Sequence, residues 1–94
     1  MKVIDLKCNS DSFDLISEGV KRAEVRFNDR GYQEGDILLL RRTDEDEDGE
    51  VFIFEDTPPE IVRVTDVFPG GQYGIEEGYV LLSFERIRLQ ARDY

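Results

Sequence analysis

The stretch GVKRAEVRFNDR, residues 19–30, has four basic and two acidic side chains within twelve residues. It begins with a glycine suited to end a helix and finishes in an Asn-Asp-Arg-Gly turn. Between them, residues 20–27 alternate as a strand does, so successive side chains take opposite faces. One face carries Lys21, Ala23, Val25 and Phe27, and the other carries Arg22, Glu24 and Arg26. We expect Ala23, Val25 and Phe27 in the core, with Lys21 at the mouth of that face.

The polar face of this strand has two interpretations. Glu24 lies between Arg22 and Arg26, which predicts that it is ionised and held by them. A solvated strand face with ion pairs would have the same composition. The alternative is a polar floor on which a ligand binds.

The spacing G-x-K-x-x-E-x-R, met here by Gly19, Lys21, Glu24 and Arg26, resembles the ASCH branch of the PUA-like proteins. The resemblance extends over nearly the whole chain. Further matching blocks are Leu6-Lys7-Cys8, residues 26–30, Gly35-Asp36, residues 71–75 and residues 78–80. Together they resemble one uncharacterised bacterial and phage family that is described as PUA-like and thought to bind RNA. The resemblance implies a PUA-like pseudobarrel.

The composition is that of one folded domain over residues 1–94, at 39% hydrophobic residues. No apolar run reaches the roughly 18 residues of a membrane helix, and no signal peptide pattern is present, so we expect a cytoplasmic monomer with no membrane partner. The chain has no histidine and a single cysteine, Cys8, which excludes the usual zinc ligand sets and Ser–His or Cys–His catalysis. We expect no metal and no cofactor.

The formal charge of −10 is unevenly distributed. Residues 43–60 carry nine acids and no base, whereas residues 21–42 carry six basic and four acidic residues. The region of residues 19–30 is therefore locally basic in an acidic protein. The overall charge predicts weak non-specific binding to a polyanion, because phosphate contacts supply that binding.

Hydrophobic patterns predict an α+β fold of about five to six strands with one short N-terminal helix, arranged as a small mixed β-barrel. The helix is expected over Ser10–Glu18, after good capping residues and before Gly19. The other strands are expected at residues 3–8, 37–42, 50–55, 60–68 and 79–87. Alternation over 60–68 groups Val62 and Val64 with Asp66 and Phe68 on one face. Residues 88–94 form a polar tail that we expect to fray.

The acidic run Asp44–Gly49 is typical of a solvated hairpin loop. Its alternating aspartates have the early spacing of a calcium loop, but the strand that follows replaces the remaining ligands. An acidic phage-type protein that binds a host protein through this run is a further alternative.

The first functional hypothesis is a module that binds RNA or a modified nucleotide or nucleoside. Its candidate residues are Lys21, Arg22, Glu24, Arg26, Asn28, Arg30, Gln72 and Tyr73. The arginines suit phosphates or stacking, the amides of Asn28 and Gln72 suit base edges, and Tyr73 suits stacking on a base.

The second hypothesis is a small amidohydrolase that acts on an acylated nucleoside. Some ASCH-like proteins cleave an acetylated cytidine with a lysine, a threonine and a glutamate, and Lys21 matches that lysine. Glu24 stands in the place of the threonine, and Glu76 and Glu77 lie in the part of the chain where the glutamate is expected. In this hypothesis Lys21 and Glu24 are the catalytic residues, with Lys21 as the base.

Overall fold

Six strands in one mixed sheet and one short helix make up residues 1–87, the part of the chain that the computed structural model describes. The elements in chain order are β1 (Val3–Asn9), α1 (Ser10–Ser17), β2 (Ala23–Phe27), β3 (Ile37–Glu45), β4 (Val51–Ile53), β5 (Glu60–Pro69) and β6 (Tyr79–Arg86). The predicted α+β class with one short helix is confirmed. The tail predicted over 88–94 lies outside the described residues.

The sheet is curved but not closed by backbone hydrogen bonds. Its strand order is β1-β3-β5-β6-β2, with β4 paired to β3 beside this path. β1 and β3 run parallel, and the other pairs are antiparallel. The two end strands are joined by a side chain, since Arg26 Nη2 of β2 donates to the carbonyl oxygen of Lys7 in β1 at 2.8 Å. The result is a barrel-like sheet with a seam between β1 and β2.

The core fills the inside of this sheet with side chains that alternate along the strands. Four strands, β1, β3, β5 and β6, contribute Ile4, Leu6, Cys8, Leu38, Leu40, Val62, Val64, Val80, Leu82 and Phe84, and Tyr32 joins them. Phe13 and Ile16 are the buried residues of α1, which packs against β1 and β3. Burying these apolar side chains supplies the main favourable free energy of folding.

The helix begins and ends where its capping residues dictate. Asn9 Oδ1 accepts from the backbone N–H of Ser12 at 3.0 Å, which satisfies one of the free donors of the first turn. At the other end, the N–H of Gly19 reaches Ile16 O and that of Val20 reaches Leu15 O, both at 2.9 Å. This Schellman pattern needs the left-handed backbone of Gly19, whose φ is +77°. Within residues 1–87 no helix has the length and apolar character needed to cross a membrane.

The predicted orientation of β2 is wrong. Val25 and Phe27 are 50% and 56% exposed, whereas the side chains of Glu24 and Arg26 are only 15% and 20% exposed. The reason is that β2 ends the sheet beside the seam, where polar side chains can pair with one another and still reach water. Phe27 packs edge-on against Tyr79 instead, with ring centres 5.4 Å apart.

The prediction that Val62, Val64, Asp66 and Phe68 share one face of β5 is also wrong. Val62 and Val64 are fully buried, but a register shift between Val64 and Asp66 inserts an extra residue opposite β6. After this bulge the side-chain phase is reversed, so Val67 packs against the core and Asp66 is exposed.

Candidate functional site

A cleft of about 850 Å³ lies along the seam between β1 and β2, and we call it the seam cleft. Its charged lining consists of the cations Lys7, Arg26, Arg30 and Arg41 and the carboxylates Asp5, Glu24 and Asp29. Asn9, Val25, Phe27 and Tyr32 are among its uncharged lining residues. A volume of this size is in the range of small-molecule sites, roughly 300–1,000 Å³.

Glu24 is the centre of the polar cluster on β2. Arg26 Nε donates to Glu24 Oε2 at 3.0 Å, and Lys21 Nζ approaches Glu24 Oε1 at 3.4 Å. Arg26 also reaches across the seam to Lys7 O, so one guanidinium orients the carboxylate and joins the two end strands. The predicted partner Arg22 does not take part. The cluster therefore presents one carboxylate between two cations, and both Glu24 and Arg26 line the cleft.

Cys8 lies beneath this cluster and is only 2% exposed. Burial raises the pKa of its thiol to about 11, and the nearby Glu24 carboxylate acts in the same direction. A thiol with this pKa stays protonated near neutral pH, so the chemistry of a thiolate nucleophile is absent here.

The other three cations of the cleft differ in how firmly the protein holds them. Arg41 Nε donates to both carboxylate oxygens of Asp5 at 2.9 Å, and this hydrogen bond lowers the pKa of Asp5. Arg30 stands 4.0 Å from Asp29, at the limit of an ion pair, and both side chains are about half exposed. Lys7 has no ion pair with the residues that the structure describes. Lys7 and Arg30 can therefore turn toward an anion in the cleft, whereas Arg41 is held by Asp5.

The turn after β2 places Arg30 and Tyr32 at the cleft. Asn28 Oδ1 accepts from the backbone N–H of Tyr32 at 3.1 Å, so its oxygen is used to shape the turn. Tyr32 is buried, and this burial raises the pKa of its hydroxyl. Asn28 does not line the cleft.

Two of the predicted basic residues line a different depression. Lys21 and Arg22 border a smaller cavity of about 410 Å³ beside the end of β6. Lys21 Nζ donates to Ser12 Oγ at 2.8 Å and so connects Glu24 with α1. Arg22 is exposed and donates to Gly19 O at 3.2 Å.

The loop with Gln72 and Tyr73 is separate from the seam cleft, whose lining includes neither residue. Tyr73 is 87% exposed, has a φ of +52°, and its ring centre is 5.9 Å from that of Phe68. Gln72 Nε2 donates to Pro69 O. The structure thus brings together Lys21, Glu24 and Arg26, and it puts Arg30 on the same cleft as the last two. The candidate binding residues therefore do not share one concavity, since Gln72 and Tyr73 lie outside the lining of the seam cleft.

Sequence reasoning missed Lys7, Asp5, Arg41 and Ser12. Asp5 and Lys7 alternate with buried residues along β1, which indicates that they lie on its outer face. This alternation does not indicate which residues they contact. Only the parallel pairing of β1 with β3 brings Arg41 beside Asp5. No local pattern connects Ser12 with Lys21.

The acidic run is divided between a strand and a turn. Asp44 and Glu45 belong to β3, which continues past its predicted end. In the turn, Asp46 Oδ1 accepts from the N–H groups of Asp48 and Glu50, both at 2.9 Å. Across residues 1–87, no group of three or more potential ligand side chains is arranged to hold a metal ion.

Comparison with known proteins connects this chain with proteins of uncharacterised function. Over 39 residues it is 49% identical to the "Uncharacterized 12.9 kDa protein in GpA 3′region" of Escherichia phage P2. The aligned segment covers 42% of this chain and 36% of the phage protein, so it spans about a third of that relative. The model of one family matches residues 3–84, which include every strand and the helix of the fold except the last two residues of β6. On this evidence the chain belongs to the family described as Domain of unknown function (DUF3850).

Proposed function

We propose that this protein is a binding module for RNA or for a modified nucleotide or nucleoside, and that the ligand occupies the seam cleft. The observation that carries this proposal is the charge of the cleft, which has four cations and three carboxylates in a chain of net charge −10. A local excess of cations in an acidic protein favours an anionic ligand.

The rest of the lining suits the other parts of a nucleotide. Phe27 offers a half-exposed ring to a base, and Asn9 has an amide nitrogen for a base edge, since its oxygen is used by Ser12. Three of the four signature residues, Lys21, Glu24 and Arg26, form one cluster. This supports our further proposal that the family is a branch of the ASCH and PUA-like proteins. We also propose that the protein acts in the cytoplasm.

The hydrolase alternative has less support. Lys21 Nζ donates to Ser12 Oγ and approaches Glu24 Oε1, so two groups of the protein already occupy it. Lys21 also lies outside the lining of the seam cleft. We therefore favour binding over catalysis.

The test is a thermal-shift and titration screen of nucleosides, nucleotides and short RNAs against the parent and four variants, with a turnover assay on an acylated nucleoside. A ligand that binds only the folded state must raise the melting temperature. Glu24→Gln and Arg26→Ala should each weaken binding by about 1.5–3 kcal/mol, because each removes a charge-assisted hydrogen bond. Arg22→Ala is the matched control, since this exposed arginine lies outside the cleft, and it should bind as the parent does.

Two outcomes would contradict the proposal. The first is equal loss of affinity in Arg22→Ala and Arg26→Ala, which would exclude the seam cleft as the site. The second is hydrolysis of an acylated nucleoside by the parent that is lost in Lys21→Ala while affinity is retained, since this pattern marks a group needed in the transition state.

A further inference from the structure

We infer that the seam cleft takes a single nucleotide with one phosphate, or the 3′ end of a strand, rather than the interior of a polynucleotide. This inference rests on the proposed function and narrows its ligand class. It depends on where the available cations lie in the described part of the chain.

The cations that lie outside the cleft are already engaged. Residues 1–87 contain ten basic and 21 acidic residues, of which four basic and three acidic line the seam cleft, leaving six basic and 18 acidic residues elsewhere. Each of those six basic side chains donates to an acceptor of the protein. They are Lys2, Lys21, Arg22, Arg42, Arg63 and Arg86.

The surface of residues 1–87 therefore offers no basic track that a second and third phosphate could follow. Proteins that hold single strands use a positive groove along the backbone and a series of aromatic platforms. Here the aromatic Tyr73 is followed in its loop by Glu76 and Glu77, and residues 43–60 carry nine acids. A strand leaving the cleft would meet like charge in these segments.

The carboxylates of the cleft favour a free ribose. Asp5 and Asp29 are exposed acceptors beside the cations, and carboxylates accept hydrogen bonds from hydroxyl groups. A nucleoside monophosphate has both ribose hydroxyls free, and so does the 3′ end of an RNA. Inside a polynucleotide the 3′ oxygen carries the next phosphate, which these carboxylates would repel.

The test compares affinities across ligand size. Titrations of the full chain would use the four nucleosides, their monophosphates, and single-stranded RNAs of about four and about twelve nucleotides. The monophosphate should bind about tenfold more tightly than its nucleoside, because one charge-assisted contact is gained. Affinity should not rise with RNA length, and the slope of log K against log salt should be about −1 or smaller in magnitude.

Variants assign the phosphate contact. Lys7→Ala and Arg30→Ala should each lower the ratio of monophosphate affinity to nucleoside affinity toward one. Arg63→Ala on β5, outside the cleft lining, is the control and should keep the ratio of the parent. Affinity that rises with RNA length, with a steep salt slope, would overturn this inference and leave the proposed function standing. No binding of any nucleoside, nucleotide or RNA would overturn both.

Discussion

At the scale of single residues, Asp36 connects the start of the chain to the bend before β3. Its carboxylate is 1% exposed and accepts from the N–H groups of Lys2 and Gln33, both at 2.9 Å, with Lys2 Nζ at 3.2 Å. Burial alone would raise the pKa of Asp36, but these donors outweigh it and the pKa lies below its ordinary value. The bend that Asp36 holds places β3 beside β1.

Replacing Asp36 by Asn should lower the free energy of unfolding by about 1.5–3 kcal/mol near neutral pH, because a charged acceptor is lost in a buried place. Since the folded-state pKa is depressed, the stabilisation is fully present above the ordinary value of 3.8 and is lost as the pH falls through the folded-state value. Urea unfolding of parent and variant at neutral and acidic pH checks this. Asp66→Asn, at an exposed position of β5, is the control. A difference that persists unchanged at the lowest pH would refute the assignment to the ionised carboxylate.

At the scale of elements, the short helix α1 depends on its caps. An eight-residue helix is not stable by itself in water, so capping and the burial of Phe13 and Ile16 must hold it. Ser10, the first residue of α1, directly follows Asn9, the last residue of β1. No loop residue between them could replace Asn9 as the cap. Asn9 thus serves the helix and the seam cleft at once.

Asn9→Ala should lower the free energy of unfolding by about 1 kcal/mol in the absence of ligand, since the N–H of Ser12 loses its acceptor. Asn9→Ser keeps a capping oxygen and should restore most of the stability. Denaturant unfolding of the two variants beside the parent measures both effects. Equal destabilisation by Ala and Ser would mean that Asn9 acts through contacts other than the cap.

At the scale of the whole molecule, most of the acidic residues lie outside the lining of the seam cleft. Glu47 and Asp48 are exposed turn residues, and their carboxylates have no hydrogen-bond partner within residues 1–87. Asp46, by contrast, holds the turn through two backbone donors. Asp46 therefore shapes the turn, whereas Glu47 and Asp48 add negative charge without holding the turn.

Changing Glu47 to Gln and Asp48 to Asn together should slightly raise the melting temperature at low salt, because repulsion within the run is relieved, and the gain should vanish at high salt. Calorimetry at two salt concentrations measures the effect. Asp46→Ala is the contrasting variant and should lower the melting temperature at both. A marked loss of stability in the double variant would instead indicate that these carboxylates bind a cation or a basic surface.

The local sequence determined the elements, and the tertiary structure decided which way their faces point. The caps Asn9 and Gly19 act on residues close to them in the chain, so α1 could be predicted. Most strands could be predicted too, because apolar patterns are also local. The orientation of β2 could not, because alternation describes two faces without saying which one is covered. Glu24 faces inward because β2 ends the sheet opposite β1, and Arg41 meets Asp5 because β1 and β3 pair in parallel. Both facts depend on contacts between distant parts of the chain, which the spacing of neighbouring residues does not encode.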